Sequence, residues 1–234
     1  MSVERNLIIS LLKMTKEDIV LIEDLKNDAK IPFSTMTKLL SEIQYEGLIY
    51  LKSGIVEVNS DMRLKLAVKA ASLGSDVEHI SNFLCWQEFE EIAAFALSNF
   101  GYAVRNNVRF KHAGRRWEID VVGCKKPLVI CLDCKHWQHA IAPSALSKIV
   151  ISQVERTKAF ADSLPSVLLH LECTKWNKAE FIPAVLSLMP SSFKFHDKVP
   201  VVSVLQMQDF LNQISVCTQS LKLFPKNFNK LSNI

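Results

Sequence analysis

Apolar residues recur at helical spacing at Val3, Leu7, Ile8, Leu11 and Leu12, which predicts an amphipathic helix over residues 3–13. A short strand is expected at 19–21. A short acidic helix follows over 22–30, broken by Pro32. Ser34 is placed to cap a third helix running to Tyr45, with Met36, Leu39, Leu40 and Ile43 on its apolar stripe and Gly47 as its stop. Two short apolar runs, 48–51 and 55–58, flank Lys52-Ser53-Gly54, a hairpin signal. From Asp61 to about Asn82 the pattern is helical again, divided at Gly74-Ser75-Asp76.

The second half opens on the strongest amphipathic segment. Phe89, Ile92, Ala93, Ala96, Leu97 and Phe100 share one helical face over 86–100, Gly101 closes it, and a strand starts at Tyr102. Two apolar runs follow, Trp117-Glu118-Ile119-Asp120-Val121-Val122 and Leu128-Val129-Ile130-Cys131-Leu132-Asp133-Cys134-Lys135, joined by a Gly-Cys-Lys-Lys-Pro turn. Both read as buried strands. Beyond them the expected elements are a helix over 143–164, a strand at 167–171, a helix over 179–188, a strand at 199–205 and a helix over 208–216. The stretch from Ser220 onward, with Lys222, Lys226 and Lys230, is expected to be loosely ordered.

Helix, helix, helix, hairpin over residues 3–59 resembles a winged helix-turn-helix domain. The expected division is a winged-helix-like domain at 1–60, a helical linker at 61–82, an α/β domain at 83–218 and a basic tail at 219–234. Nearly half of the 234 residues are hydrophobic, at 49%, which supports a packed core and excludes a disordered chain. No long uncharged apolar stretch is present, so no membrane span is expected. The N-terminus lacks a signal-peptide pattern, and the six cysteines are scattered through apolar runs. Both features fit reduced thiols and a cytoplasmic location. The net charge of +4 hides an asymmetry: residues 1–80 carry 10 basic and 12 acidic side chains, and residues 81–234 carry 18 and 12. The basic excess favours a polyanionic partner for the second half.

Apolar strands rarely end in two acids and a lysine unless these are used. Alternation puts Glu118 and Asp120 on one face, and Asp133 and Lys135 on one face. If the two strands pair, two carboxylates and an ammonium converge, a set suited to a hard divalent cation and an aimed water. The alternative is a surface ion pair between Lys135 and a carboxylate.

The order of residues 89–135 resembles the PD-(D/E)xK, restriction-endonuclease-like nuclease superfamily, in its Mrr-like and archaeal-resolvase-like branch. The resemblance is carried by Phe89-Glu90 and the apolar stripe ending in Gly101-Tyr102, by Asp120 in a strand before a turn, and by Asp133-Cys134-Lys135 at the end of the next strand. It spans residues 84–210 with the later elements. It implies a mixed sheet flanked by helices. It also implies Mg²⁺, replaceable by Mn²⁺, held by Asp120, Asp133 and the backbone carbonyl of Cys134, with Glu90 at the site directly or through water. Lys135 would then orient the attacking water and offset phosphate charge.

Glu88 and Glu91 compete with Glu90 for the helix role, Glu90 itself has a solvated-face alternative, and Glu118 is either an extra ligand or an ordinary strand residue. Gln153 matches the amide that several branches place near the site, against the alternative of a solvent-facing amide. A zinc reading of Cys131, Cys134, His136 and His139 fails because a strand points Cys131 and Cys134 to opposite faces. His136 and Trp137 are expected to flank the site. Arg105, Arg109, Lys111, His112, Arg115, Arg116 and Trp117 form a basic segment suited to phosphate contacts and stacking, or to a solvated hairpin. Lys38 is the lone cation of the third helix among its polar positions, so docking or dimerisation competes there with DNA reading.

These observations lead to an expected metal-dependent DNA endonuclease of repair, recombination or restriction, possible as a homodimer. The alternative is a non-catalytic DNA-binding or regulatory protein that keeps a nuclease-like fold.

Overall fold

The computed structural model describes residues 3–16, 19–76, 79–80, 82–135, 141–165, 170–187 and 194–228. The chain divides into two compact units, Met1–Phe89 and Glu90–Ile234.

In the first unit, helix α1 (Val3–Met14) is followed by β1 (Val20–Leu21), α2 (Ile22–Ala29), α3 (Phe33–Tyr45), β2 (Tyr50–Lys52), β3 (Ile55–Glu57) and α4 (Ser60–Ser72). The three strands form an antiparallel sheet in the order β1-β3-β2. Ser53 and Gly54 both take positive φ, as a two-residue hairpin turn of this hand requires. Gly47, at φ 73°, ends α3 while the Leu48 N–H reaches back to the Ile43 carbonyl at 3.1 Å. Ser34 is not the cap of α3. Pro32 holds that position without a side-chain bond, and its carbonyl takes the Met36 N–H, so Ser34 already lies inside the helix.

One buried charge organises this unit. Arg63 of α4, 4% exposed, donates through Nε to Glu88 Oε1 at 2.5 Å and through Nη1 to the Leu12 carbonyl and Thr15 Oγ1 at 2.8 and 2.7 Å. Its Nη2 meets the Phe83 carbonyl, and Glu88 Oε2 takes the Cys85 N–H. Residues 61–72, expected as part of a linker, thus lie in the first unit, with Leu64, Leu66, Ala67 and Ala70 buried.

The second unit is a mixed sheet flanked by helices. Helix α5 (Trp86–Asn99) leads into β4 (Ala103–His112), β5 (Arg115–Lys125) and β6 (Leu128–Lys135); α6 (Pro143–Ser163), a 3₁₀ turn (Glu172–Lys175) and β7 (Lys178–Ser187) follow. The chain then runs through β8 (Phe195–His196), β9 (Val199–Ser203), α7 (Met207–Cys217) and β10 (Phe224–Asn227). The strand order is β4-β5-β6-β7-β9-β8, with β10 also on β7. Strands β6, β7 and β9 run parallel, and the other pairs are antiparallel. Beneath α6, Phe110, Phe160 and Phe181 stack with ring centroids 5.1 and 5.8 Å apart. On the other face α5 approaches so closely that a Cβ on Gly123 would lie 3.0 Å from a Leu97 methyl.

The expected helix over 179–188 is instead strand β7. Its run from Phe181 to Ser187 is buried on both faces, so it carries no alternation to separate a central strand from a buried helix. Pro183 is tolerated because it lies between Lys178–Phe181, which pairs β10, and Val185–Ser187, which pairs β9. No ladder partner on that edge is lost there. The tail was expected to be loose from Ser220, but Phe224–Asn227 forms β10 and Phe228 enters the core. The strand expected at 167–171 lies mostly outside the described residues, as do residues 77, 78 and 81 of the second linker helix and residues 229–234. Among the described residues no helix is long and apolar enough to cross a membrane.

Candidate active site

Strands β5 and β6 are paired from Lys125↔Leu128 to Val121↔Leu132, and there the ladder stops. Beyond that point β5 stays with β4 down to Arg115, while β6 stays with β7 up to Lys135. Asp120 and Asp133 are the first residues past the fork. The Cys134 N–H, freed from the β5 ladder, donates to Asp120 Oδ2 at 2.7 Å. A carboxylate therefore bridges the gap that a backbone carbonyl would otherwise fill.

The alternation of β5 also slips here. Ile119, Val122 and Cys124 all enter the core beneath α6, although strict alternation would send Ile119 away from the other two. Asn107, across from Asp120 on β4, takes φ 51°, and strands distorted in this way re-aim side chains. Asp120 feels Asp133 through space, while Glu90 of α5 feels Asp120 and Glu118. Burial raises the Asp120 carboxyl above its usual range, partly offset by the Cys134 N–H. Glu90, 8% exposed, is pushed up to about 7, first by burial and then by Asp120 and Glu118, with Lys135 opposing. Three acids thus crowd around one fork at an electrostatic cost.

Asp133, 2% exposed, is held by two cations. Lys135 Nζ lies 3.0 Å from it, and Arg156 of α6 donates Nη1 to its Oδ1. Gln153 is fully buried rather than solvent-facing. Its Nε2 donates to the Cys131 carbonyl at 2.7 Å, and its Oε1 accepts from Arg156 at 3.2 Å. Arg156 was not singled out from the sequence. The available signal was its place three residues after Gln153, which puts the two on one helix face.

The other sequence candidates divide clearly. Glu88 is consumed by Arg63, and Glu91 is exposed. Glu118 pairs with Arg109 at 3.1 and 3.3 Å. Lys111, Arg115 and Arg116 are exposed on the β4–β5 hairpin, where Arg115 stacks 4.0 Å from the Trp117 ring. Lys38 is exposed on α3 of the first unit. His136, Trp137 and His139 lie outside the described residues. Cys131 packs in the core with Cys124 and Cys173, and burial pushes the Cys131 and Cys134 thiols up. Among the described residues, no three His, Cys, Asp or Glu side chains converge closely enough to cage a metal on their own.

The fork, with its acids, its lysine and the helix that supplies Glu90, falls within one recognised segment. Residues 86–183 match the nuclease-related domain family, NERD. This match supports a nuclease-like superfamily for the part of the chain that carries the site. No curated protein matches the chain. Similar solved structures include a protein of unknown function, AF1548, at 14% identity over 50% of this chain and 57% of that one, with a TM-score of 0.33. Another is the protein VC1899 from Vibrio cholerae, at 12% identity over 93% of this chain and 52% of that one, with a TM-score of 0.40. The chain spans little more than half the length of either.

Proposed function

We propose that the chain is a divalent-metal-dependent nuclease that hydrolyses DNA phosphodiesters at the β5–β6 fork. The observation that carries this reading is the placement of Asp120 and Asp133 at the point where the strands part, with Lys135 beside them. The donor set fits Mg²⁺, which takes one or two carboxylates and fills its remaining positions with water and substrate oxygens, so a closed protein cage is not needed. Asp120, Asp133 and the Cys134 carbonyl would hold the ion, with Glu90 behind them. A bound Mg²⁺ would polarise the phosphoryl oxygen and acidify a water.

The chain's own residues supply the rest. The Cys134 N–H fixes the rotamer of Asp120. Lys135 is placed to aim the attacking water and to offset charge on the phosphate. Glu90, pushed up to about 7, is suited to exchange a proton near neutral pH. The β4–β5 hairpin sets Lys111 opposite Arg116 and His112 opposite Arg115. Lys111 and Arg116, facing one another across the strands, repel, and a phosphate backbone relieves that repulsion.

In the first unit, the order α1-β1-α2-α3-β2-β3 with a β1-β3-β2 sheet supports a winged-helix reading. Its α3 offers Lys38 among neutral and acidic side chains, which favours docking over DNA reading. The free cysteines among the described residues favour a reducing compartment such as the cytoplasm.

The test is kinetic. Folded Asp133→Ala and Lys135→Ala proteins, supplied with Mg²⁺, are expected to cut DNA at least ~10²-fold more slowly than wild type while still binding it, the loss usual for a removed charge-stabilising group. Cleavage at the wild-type rate by either variant contradicts the mechanism. A second reading, a non-catalytic DNA-binding protein, draws support from the two cations that already occupy Asp133. Tight DNA binding without cleavage of duplex, single-stranded, flap, junction or methylated DNA, with either Mg²⁺ or Mn²⁺, selects it.

A further inference from the structure

Asp133 ends a relay that begins in the core. The Cys131 carbonyl accepts from Gln153 Nε2, Gln153 Oε1 accepts from Arg156 Nη1, and the same Nη1 donates to Asp133. Lys135 reaches Asp133 as well. Two cations on one buried carboxylate over-neutralise it, so any incoming divalent ion meets repulsion as well as attraction. Lys135 comes from the same strand as Asp133, whereas Arg156 comes from α6 and, among the described residues, reaches that strand through Asp133 and Gln153.

A guanidinium has five donors in a planar fork that suits phosphate oxygens. Arg156 uses Nη1 for both of its bonds, and among the described residues Nε and Nη2 have no partner. Its side chain is 20% exposed, so those donors are not sealed in the core.

We propose that Arg156 is a resident counter-cation. It holds Asp133 while no divalent ion is present, yields that carboxylate to an arriving ion, and then binds a phosphate of the substrate beside the fork. This rests on the nuclease reading above and adds the order of events at the site. Gln153 is the positioning residue: it keeps the guanidinium within reach of both stations.

The test is Mn²⁺ binding by calorimetry, without DNA, to wild type, Arg156→Gln, Arg156→Lys and Asp133→Asn proteins, with melting curves for each. Removing the competing charge is expected to tighten Mn²⁺ binding by on the order of tenfold in Arg156→Gln, a modest share of the Coulomb energy between close charges near a protein surface. Arg156→Lys should fall between, because an ammonium cannot hold Asp133 and Gln153 in one planar fork. Asp133→Asn should lose the binding. In cleavage assays, Arg156→Gln should raise KM for DNA by roughly tenfold through the lost phosphate contact.

A merely structural arginine would weaken ion binding and cleavage together. Unchanged or weaker Mn²⁺ binding by a folded Arg156→Gln protein, with wild type binding Mn²⁺ and cutting DNA, overturns this inference and leaves the nuclease reading standing. Mn²⁺ binding by none of the proteins overturns both. If Arg156→Gln does not fold, Arg156→Lys decides: tighter binding than wild type supports the proposal, and equal or weaker binding overturns it.

Discussion

Glu90 is held well above the ordinary carboxyl range, and the departure has a sign. Its folded pKa of about 7 exceeds the usual carboxyl value, so the folded state holds a proton that the unfolded state releases. The stability linked to this group is therefore present at low pH and is lost as pH rises from about 4.5 through about 7. Glu90→Gln, which mimics the protonated form, should stabilise the metal-free protein at pH 8 by on the order of 2 kcal/mol and change little at pH 5. Urea unfolding at the two pH values in the presence of a chelator checks this; equal effects at both would contradict the crowding of acids at the fork. Glu88 makes the opposite case. Replacing it with Ala strands the buried Arg63 charge and should cost about 3–5 kcal/mol, read by the same unfolding curves.

At this scale motif order was enough to single out Asp120, Asp133, Lys135 and Glu90, which the fold brings together at one fork. It was silent on Arg156 and on the Arg63–Glu88 pair. A guanidinium 23 or 25 residues from its carboxylate leaves no mark in local spacing.

Among the elements, the fork depends on β5 and β6 separating at Val121↔Leu132, and the helix behind it depends on Gly123. Gly123→Val should force Leu97 and α5 outward, at a cost of about 1–3 kcal/mol as for other overpacked cores. It should also slow catalysis, because Glu90 rides on that helix. Circular dichroism melts together with cleavage rates check the pair of effects. The elements were mostly readable from period and breakers: the α3 stop at Gly47, the Ser53-Gly54 turn and the long α6 all fall where the pattern put them. The two misread strands share one cause. β7 is apolar on both faces, and β10 is a four-residue strand whose proline and lysine hide the Phe224 and Phe228 anchors. In each, the neighbouring strand, not the local sequence, decides the conformation.

For the whole molecule, charge is unevenly divided: acids outnumber bases in residues 1–80, and bases outnumber acids in residues 81–234. On the proposed function, DNA phosphates meet the more basic residues 81–234 rather than residues 1–80. Neutralising Lys111 and Arg116 together should reduce the salt slope of DNA binding by roughly 1–2, since each phosphate contact contributes close to one unit. Lys38→Ala should leave that slope nearly unchanged. Fluorescence anisotropy across a salt series separates the two.

The most direct measurement is the cleavage of labelled DNA by the wild-type chain, run side by side in Mg²⁺, in excess chelator, and with Asp120→Asn replacing wild type. The account predicts product only with Mg²⁺ and an intact Asp120. Product that forms equally in chelator, or equally with Asp120→Asn, would contradict it.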